Sequence, residues 1–326
     1  MSGFSIHAMP VGAEIVGLAP DDPLGPDTAA ALYRAWLDHG ALLFRGIATV
    51  EQHLALTRCF GELEIHPVPE VRSKTNPYLI ELGTPFDGSG ARVPTVFVFD
   101  GGDMRINRIA WHRDTAYAPD ICKGAMLRML EVPEHEGETM LADSAKAWDA
   151  LPADMQKRLE TLEFKATLRT AHLNLTGRAG VFWNDVRLAS EEEFPGNAER
   201  AMRDGQLDDR YPSVIHPAVL THPESGRKCI FLSPTYVDYF LGLERDESDA
   251  LLAYLSDHML NPEFVYKHRW QENDAILWDN RRMLHAGMGN RPDEPRFGLR
   301  TTLAEPLLTG RYFDASATKP DLMLND

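Results

Sequence analysis

Apolar positions in this chain fall into two spacings, one helical and one extended. Residues Ala31, Leu32, Ala35 and Trp36 recur at the three-and-four spacing of a buried helical stripe, with Asp27 or Thr28 placed to cap it and Gly40 to end it. A short apolar run, 41–45, suits a buried strand. Thr49 and Gln52 then form a capping-box pattern for a second helix that stops near Gly61. From residue 78 the rhythm changes. Short strand-like runs at 78–82, 95–100, 125–131 and 138–142 alternate with turns, and a helical stretch opens at Asp143 or Ser144 and restarts at Pro152. Residues 172–212 are polar and lack periodicity, so they read as a long, lid-like connection. Strand signals resume at 213–220 and 228–232 around the turn THPESGRK. A helix follows at 246–260, and closing strands at 264–270, 275–278 and 298–303.

Strands grouped around one helical insert predict a mainly β (α+β) protein, not a βαβ array. A double-stranded β-helix, the jelly roll, is the expected core over about 78–311 because it hides most sheet edges. Elements at 12–62 flank it. The whole of 1–326 is expected to form a single domain, with 172–212 as its insertion.

Composition narrows the partners. The formal net charge of −16 argues against nucleic acid or an anionic membrane. It does not exclude a small anionic substrate, because charges beyond roughly 8 Å are screened and a local arginine cluster can dominate a pocket. Cys59, Cys122 and Cys229 are scattered and odd in number, as expected of reduced thiols in a cytoplasmic protein. The first residues carry neither a basic segment nor an apolar core, and no stretch reaches 18 apolar residues, so neither a signal peptide nor a membrane span is expected.

Candidate chemistry begins at His112-Arg113-Asp114. If the segment 109–117 is extended, residues two apart share a face, so an imidazole and a carboxylate converge. His285, after the strand-like AILWDN, is the best third ligand. Two histidines and one carboxylate leave half of an octahedron open, the arrangement of non-haem iron(II) oxygenases. By itself the His-x-acid spacing says little. Twelve histidines at this acidic content give about two such pairs by chance, and the chain has two. The other, His222-Pro223-Glu224, sits in a turn. Arg296 and Arg300 follow His285; in a strand they share a face, roughly 13 Å apart. Arginine is the residue that binds a carboxylate bidentately and keeps its proton. Taken alone, the pair reads better as two surface arginines in a charged strand.

Six blocks in order complete the pattern: FGELEIHPV (60–68), WHRDTAY (111–117), GETMLADS (137–144), HPAVLTHPESGRKCIFL (216–232), RWQENDAILWDNRRMLHAG (269–287) and RFGLRTT (296–302). With these the chain resembles the TauD/TfdA (taurine dioxygenase) family of Fe(II)/2-oxoglutarate-dependent dioxygenases from about residue 12 to 311. The resemblance implies Fe(II), 2-oxoglutarate and O2, with hydroxylation of a small anionic organic substrate (a sulfonate, alkyl sulfate, aryloxyalkanoate or other carboxylate) and release of succinate and CO2. It implies His112, Asp114 and His285 as metal ligands and Thr139 and Arg296 as holders of 2-oxoglutarate. Arg300 is implied beside cosubstrate and substrate, and His66 at the substrate's anionic group. Trp111, Trp278 and Asp279 are expected to support the ligands. The sequence departs from taurine dioxygenase at Pro69, where that enzyme has a tyrosine, at Arg108 for an asparagine and at His172 for a phenylalanine. Arg108 and His172 thereby become substrate-pocket candidates and taurine itself is disfavoured. Relatives are commonly dimers or tetramers. The competing readings are a His2Asp zinc hydrolase, which leaves Arg296 and Thr139 without a purpose, and a non-catalytic binding protein that keeps the fold, against which the complete ligand and cosubstrate set speaks.

Overall fold

The computed structural model describes residues 3–19, 24–66, 72–84, 95–99, 101–168, 186–205 and 211–320. Among them, strands outnumber helices and gather mainly into two sheets. The larger runs Ser5–Ala8, Ala13–Val16, Ala41–Phe44, Ala275–Asp279, Gly124–Glu131, Arg296–Leu303, Ile80–Thr84. All neighbours are antiparallel except Ala13–Val16 and Ala41–Phe44. The second runs Arg187–Leu188, Phe97–Val98, Met104–His112, Met283–Asn290, Thr139–Asp143, Val265–His268.

Alternation along the strands builds three apolar layers. Ala41, Leu43, Leu127, Met129, Ile276 and Trp278 of the larger sheet meet Leu141 and Met283 of the smaller one in the layer between the sheets. The alternate residues Leu42, Phe44, Met126 and Leu277 turn outward and are covered by Leu32, Ala35, Trp36 and Leu56 of helices Pro26–His39 and Val50–Arg58. Ala142, Leu284 and Ala286 face the opposite way, into a cluster with helix Arg245–Met259. A period-two pattern buried on both faces is what turns these runs into central strands.

Both N-terminal helices form where the apolar stripes place them. Thr49 and Gln52 make the expected capping box. The first helix differs at its start: Gly25 occupies the cap position and Pro26 opens the first turn, while Asp27 and Thr28 lie inside. Proline there loses only a donor that would be unpaired anyway. Gly40 ends this helix in the left-handed conformation at φ 75°, and a Cβ there would lie 2.4 Å from the Met283 side chain.

Several expectations change. The strand expected through 109–117 ends at His112; Asp114 lies in the turn beyond it, where Thr115 takes φ 58°. His285 is carried by a strand, Met283–Asn290, that the sequence pattern did not reveal. Its run MLHAGMGN is broken by two glycines and lacks the β-branched residues that signal a strand. The N-terminal hairpin Ser5–Ala8/Ala13–Val16 is likewise new. The connection expected at 172–212 falls partly outside the described residues, as does His172. Its described part carries structure: Arg187–Leu188 pairs with Phe97–Val98, and the Asn197 side chain holds Val96 through both its amide N–H (2.9 Å) and its carbonyl (2.9 Å). Among the described residues, no helix is long and apolar enough to cross a membrane.

Candidate active site

Strand pairing brings the two histidines together. His285 lies directly opposite His112 in the antiparallel pair Met283–Asn290/Met104–His112, and their ring centroids are 4.1 Å apart. An extra residue at Ala110–Trp111 bulges the His112 strand at this point, since His285 pairs with His112 but Gly287 with Ile109. Bulges re-aim side chains and end pairing, which here delivers His112 to the rim and releases Asp114 into the turn. Asp114 Oδ1 stands 3.6 Å from His112 Nε2 and 3.7 Å from His285 Nε2, and the three ligand atoms lie within 4.8 Å of one another. All three residues are buried.

The surroundings prepare these atoms for a cation. His112 Nδ1 lies 2.8 Å from the Ala110 carbonyl, a contact that requires the proton on Nδ1 and leaves the Nε2 lone pair facing the cluster. Burial raises the Asp114 carboxyl, but the Arg300 guanidinium, His285 and the His112 hydrogen bond outweigh it and hold the group well below the usual carboxylate range. Burial and the facing His112 imidazole press His285 well below its ordinary value. Two imidazole nitrogens and one carboxylate oxygen, gathered around a common point, form a donor set suited to a divalent transition metal with open positions.

Arg296 and Arg300 serve different ends of the site. Arg300 Nη2 donates to Asp114 Oδ2 at 2.8 Å, so one carboxylate oxygen is engaged by arginine and the other faces the histidines. Arg296 is 6% exposed; its Nε donates to Gly137 O at 2.9 Å and its Nη2 to Thr139 Oγ1 at 3.4 Å. Among the described residues no carboxylate pairs with it. Burial alone lowers its guanidinium to about 10, leaving it a buried cation at neutral pH. Thr139 Oγ1 also accepts from Trp270 Nε1 at 3.1 Å. With two N–H groups directed at its oxygen, the hydroxyl proton remains for a ligand. Thr139 pairs with Gly287, and Leu141 two residues along pairs with His285. The Thr139–Arg296 pair therefore sits about 7 Å along the sheet from the level of His285.

The remaining candidates are placed less directly. His66 is half-buried in a segment anchored to the arginine strand by the Leu63–Leu303 bridge and by Glu64 N to Thr302 O at 2.9 Å. Arg108 is buried four residues before His112, its guanidinium 5.4 and 5.8 Å from the Phe97 and Phe99 ring centroids. The Trp278 ring packs 4.7 Å from that of His285. Trp111 packs in the cluster that also holds Tyr236. The Asp279 carboxylate orients no ligand: it pairs with His222 Nε2 at 2.8 Å and with Arg281. His222 Nδ1 accepts from Glu224 N and Ser225 N, so the second His-x-acid pair is a turn device.

Three features escaped the sequence reading. Asn280, beside Asp279, is the residue that grips Asp114: its Oδ1 accepts from Asp114 N at 2.8 Å and its Nδ2 donates to Asp114 O at 2.9 Å. Arg113 is wholly buried. Tyr236, Tyr117 and Tyr211 form an edge-to-face series beside the ligands, with Tyr236 6.3 Å from His112, Tyr117 5.4 Å from Tyr236 and Tyr211 4.8 Å from Tyr117. Burial among these rings raises the Tyr117 hydroxyl well above its ordinary value. The tyrosines come from segments far apart in sequence, and no spacing signal links them.

Comparison with known proteins agrees with this geometry. The family described as "Taurine catabolism dioxygenase TauD, TfdA family" matches residues 5–302. An (S)-phenoxypropionate/alpha-ketoglutarate-dioxygenase of Sphingobium herbicidovorans is 33% identical over 260 residues, 78% of each chain. An alkylsulfatase of Acinetobacter baylyi is 27% identical over 308 residues, 93% of this chain and 84% of that one. The crystal structure of a taurine dioxygenase from Burkholderia xenovorans superposes with a TM-score of 0.71 over 99% of this chain and 100% of that chain, at 22% identity, and so shares the fold.

Proposed function

The chain belongs to the TauD, TfdA family of dioxygenases, and from that premise we propose that it is a 2-oxoglutarate-dependent, non-haem iron(II) enzyme that hydroxylates a small organic anion. We read its two facing sheets as one jelly-roll domain. Residues 186–205, beside Phe97–Val98, then form part of the cover expected for the insertion. Three unpaired thiols suit a cytoplasmic enzyme.

The observation that carries this reading is Arg296. A buried guanidinium is costly unless several acceptors or a ligand's anion compensate it, and Arg296 has only two acceptors, one of them at 3.4 Å. Here Thr139 offers a hydroxyl proton beside it, and both stand about 7 Å along the sheet from the His285 level. That separation is on the scale of a five-carbon diacid, one end at Arg296 and Thr139, the other at His112, Asp114 and His285. Iron(II) bound by those three residues, with 2-oxoglutarate and O2, would supply the oxidant for C–H hydroxylation, with succinate and CO2 as co-products. The chain's own contribution is placement. Arg300 holds Asp114 Oδ2 and so presents Oδ1 alone. The Ala110 carbonyl keeps the His112 proton on Nδ1. Trp278 packs the His285 ring.

For the substrate, the named relatives act on an aryloxy acid and on alkyl sulfates, both small anions. The tyrosine series beside His112 provides an aromatic wall that favours an aryl group. Arg300, His66 and Arg108 are the candidates for the anionic end, with His172 outside the described residues. A zinc hydrolase would leave Arg296 without a counter-ion. The test is succinate release under air with iron(II) and 2-oxoglutarate across phenoxypropionates, alkyl sulfates and taurine. Substrate-linked succinate with at least one aryloxy acid is expected. Turnover of these compounds without O2 or 2-oxoglutarate would overturn the proposal.

A further inference from the structure

Arg113 separates two of the metal-ligand candidates in sequence, yet it touches neither with its side chain. Its guanidinium is 0% exposed and lies 5.3 Å from the Phe231 ring centroid. Nη1 donates to Asn280 O at 3.0 Å and Met283 O at 3.4 Å; Nη2 donates to Ser144 Oγ at 2.6 Å and Ile230 O at 2.9 Å. Its peptide N–H donates to Ser233 Oγ at 3.1 Å. Ser144 Oγ in turn donates to Arg282 O at 2.5 Å. Every one of these acceptors is neutral. Burial lowers the group only to about 10, so it remains a cation at neutral pH.

The targets of this fork are not scattered. Asn280 and Met283 bracket the turn that launches the His285 strand, and the Asn280 side chain returns to the main chain of Asp114, the residue after Arg113. A closed loop results: the Arg113 guanidinium fastens Asn280, and Asn280 fastens Asp114. Met283 stands two residues before His285, and Ser144 follows Asp143, the register partner of Met283. One planar group with donors fixed in a fork can satisfy carbonyls on separate segments at once; a lysine ammonium on a flexible stem cannot span them.

We infer that Arg113 is the positioning residue that ties the His112–Asp114 arm and the His285 arm into one frame, so that the three ligands are set before a metal arrives. The inference rests on the reading of His112, Asp114 and His285 as a metal site. Supporting groups of this kind typically change metal affinity by roughly 10–100-fold when removed.

The test uses the full-length, metal-stripped protein titrated with Co(II), read by its visible absorption and binding isotherm, beside thermal melts of the metal-free form. Wild type, Arg113→Lys and Leu32→Ala are compared; Leu32, on the buried face of helix Pro26–His39, packs against the larger sheet and serves as a matched loss of core stability. Arg113→Lys is expected to bind Co(II) roughly 10–100-fold more weakly and with an altered visible band, while Leu32→Ala melts lower but binds as wild type does. If Arg113→Lys does not accumulate folded, Ser144→Ala removes a single tie and should weaken binding in the same direction. Wild-type affinity and band shape in the Arg113→Lys or substitute Ser144→Ala protein would overturn the inference alone. Equal weakening in Leu32→Ala would also overturn it, as a general effect of stability. A wild-type protein that takes up no Co(II) would overturn the metal reading together with it.

Discussion

Replacing Arg296 with methionine should separate stability from cosubstrate binding, and in opposite directions. Methionine matches the length of the arginine stem and removes its charge. Burial lowers the guanidinium to about 10 with no carboxylate to offset it, a displacement worth about 3 kcal/mol against folding. Below that value the group is charged in the folded and unfolded chain alike, so the whole penalty is present at neutral pH. Two hydrogen bonds, to Gly137 O at 2.9 Å and to Thr139 Oγ1 at 3.4 Å, return part of it. At about 1.5 kcal/mol for a bond from a charged donor, and less for the longer one, the variant should gain up to about 1 kcal/mol. For a chain of this size that corresponds to a melting point higher by up to about 1.5 °C without ligands. Affinity for 2-oxoglutarate should move the other way. A charge-assisted pair to a carboxylate contributes about 1.5–3 kcal/mol, so the KM should rise roughly 10–150-fold, at 1.4 kcal/mol per tenfold. Adding 2-oxoglutarate to the metal-loaded protein should raise the melting point of the wild type more than that of the variant. Scanning calorimetry and succinate kinetics read both effects. A variant that melts several degrees lower and keeps its KM would refute the assignment, because Arg296 would then be a structural cation.

Other outcomes follow from the same contacts. Asp114→Ala should abolish turnover and metal uptake, measured by metal analysis of the purified protein, while far-UV circular dichroism stays that of a folded chain; retained turnover would remove Asp114 from the ligand set. Tyr236→Ala should lower kcat/KM for an aryloxy acid about 10–100-fold, the scale of burying or exposing an aromatic face. It should change an alkyl sulfate much less, and equal losses on both would remove the aromatic wall from specificity. Stability should fall on acidification below pH 6.5, because burial holds His53 at about 3 and His216 at about 4. Their folded values lie below the unfolded one, so the unfolded chain takes up protons that the folded chain refuses. Between about pH 6 and 4 each contributes a slope near 1.4 kcal/mol per pH unit. Urea midpoints for His53→Gln should show one such contribution gone, and an unchanged slope would count against a neutral His53.

Sequence alone determined the parts of this protein governed by short-range physics. The Thr49–Gln52 capping box, the stripe around Leu32 and Trp36, and the runs 125–131 and 275–278 depend on neighbours a few residues away, and they form where the pattern places them. Residue chemistry also pointed to His112, Asp114, His285 and Arg296 as candidates, whereas Thr139 entered only through the family resemblance carried by the six blocks. The wrong particulars were tertiary. Asp114 converges with His112 through a turn, not by strand alternation, because a bulge ends the pairing there. Asp279 looked like the ligand's support, but its carboxylate serves His222 and the neighbouring Asn280 does the gripping. Which of two adjacent polar residues faces the site is set by cross-strand register, and register is not local. The same holds for Arg113, whose four acceptor groups lie between 31 and 170 residues away in the chain, and for the tyrosine series. Packing of distant segments decides such contacts, and a one-residue slip in pairing would undo them.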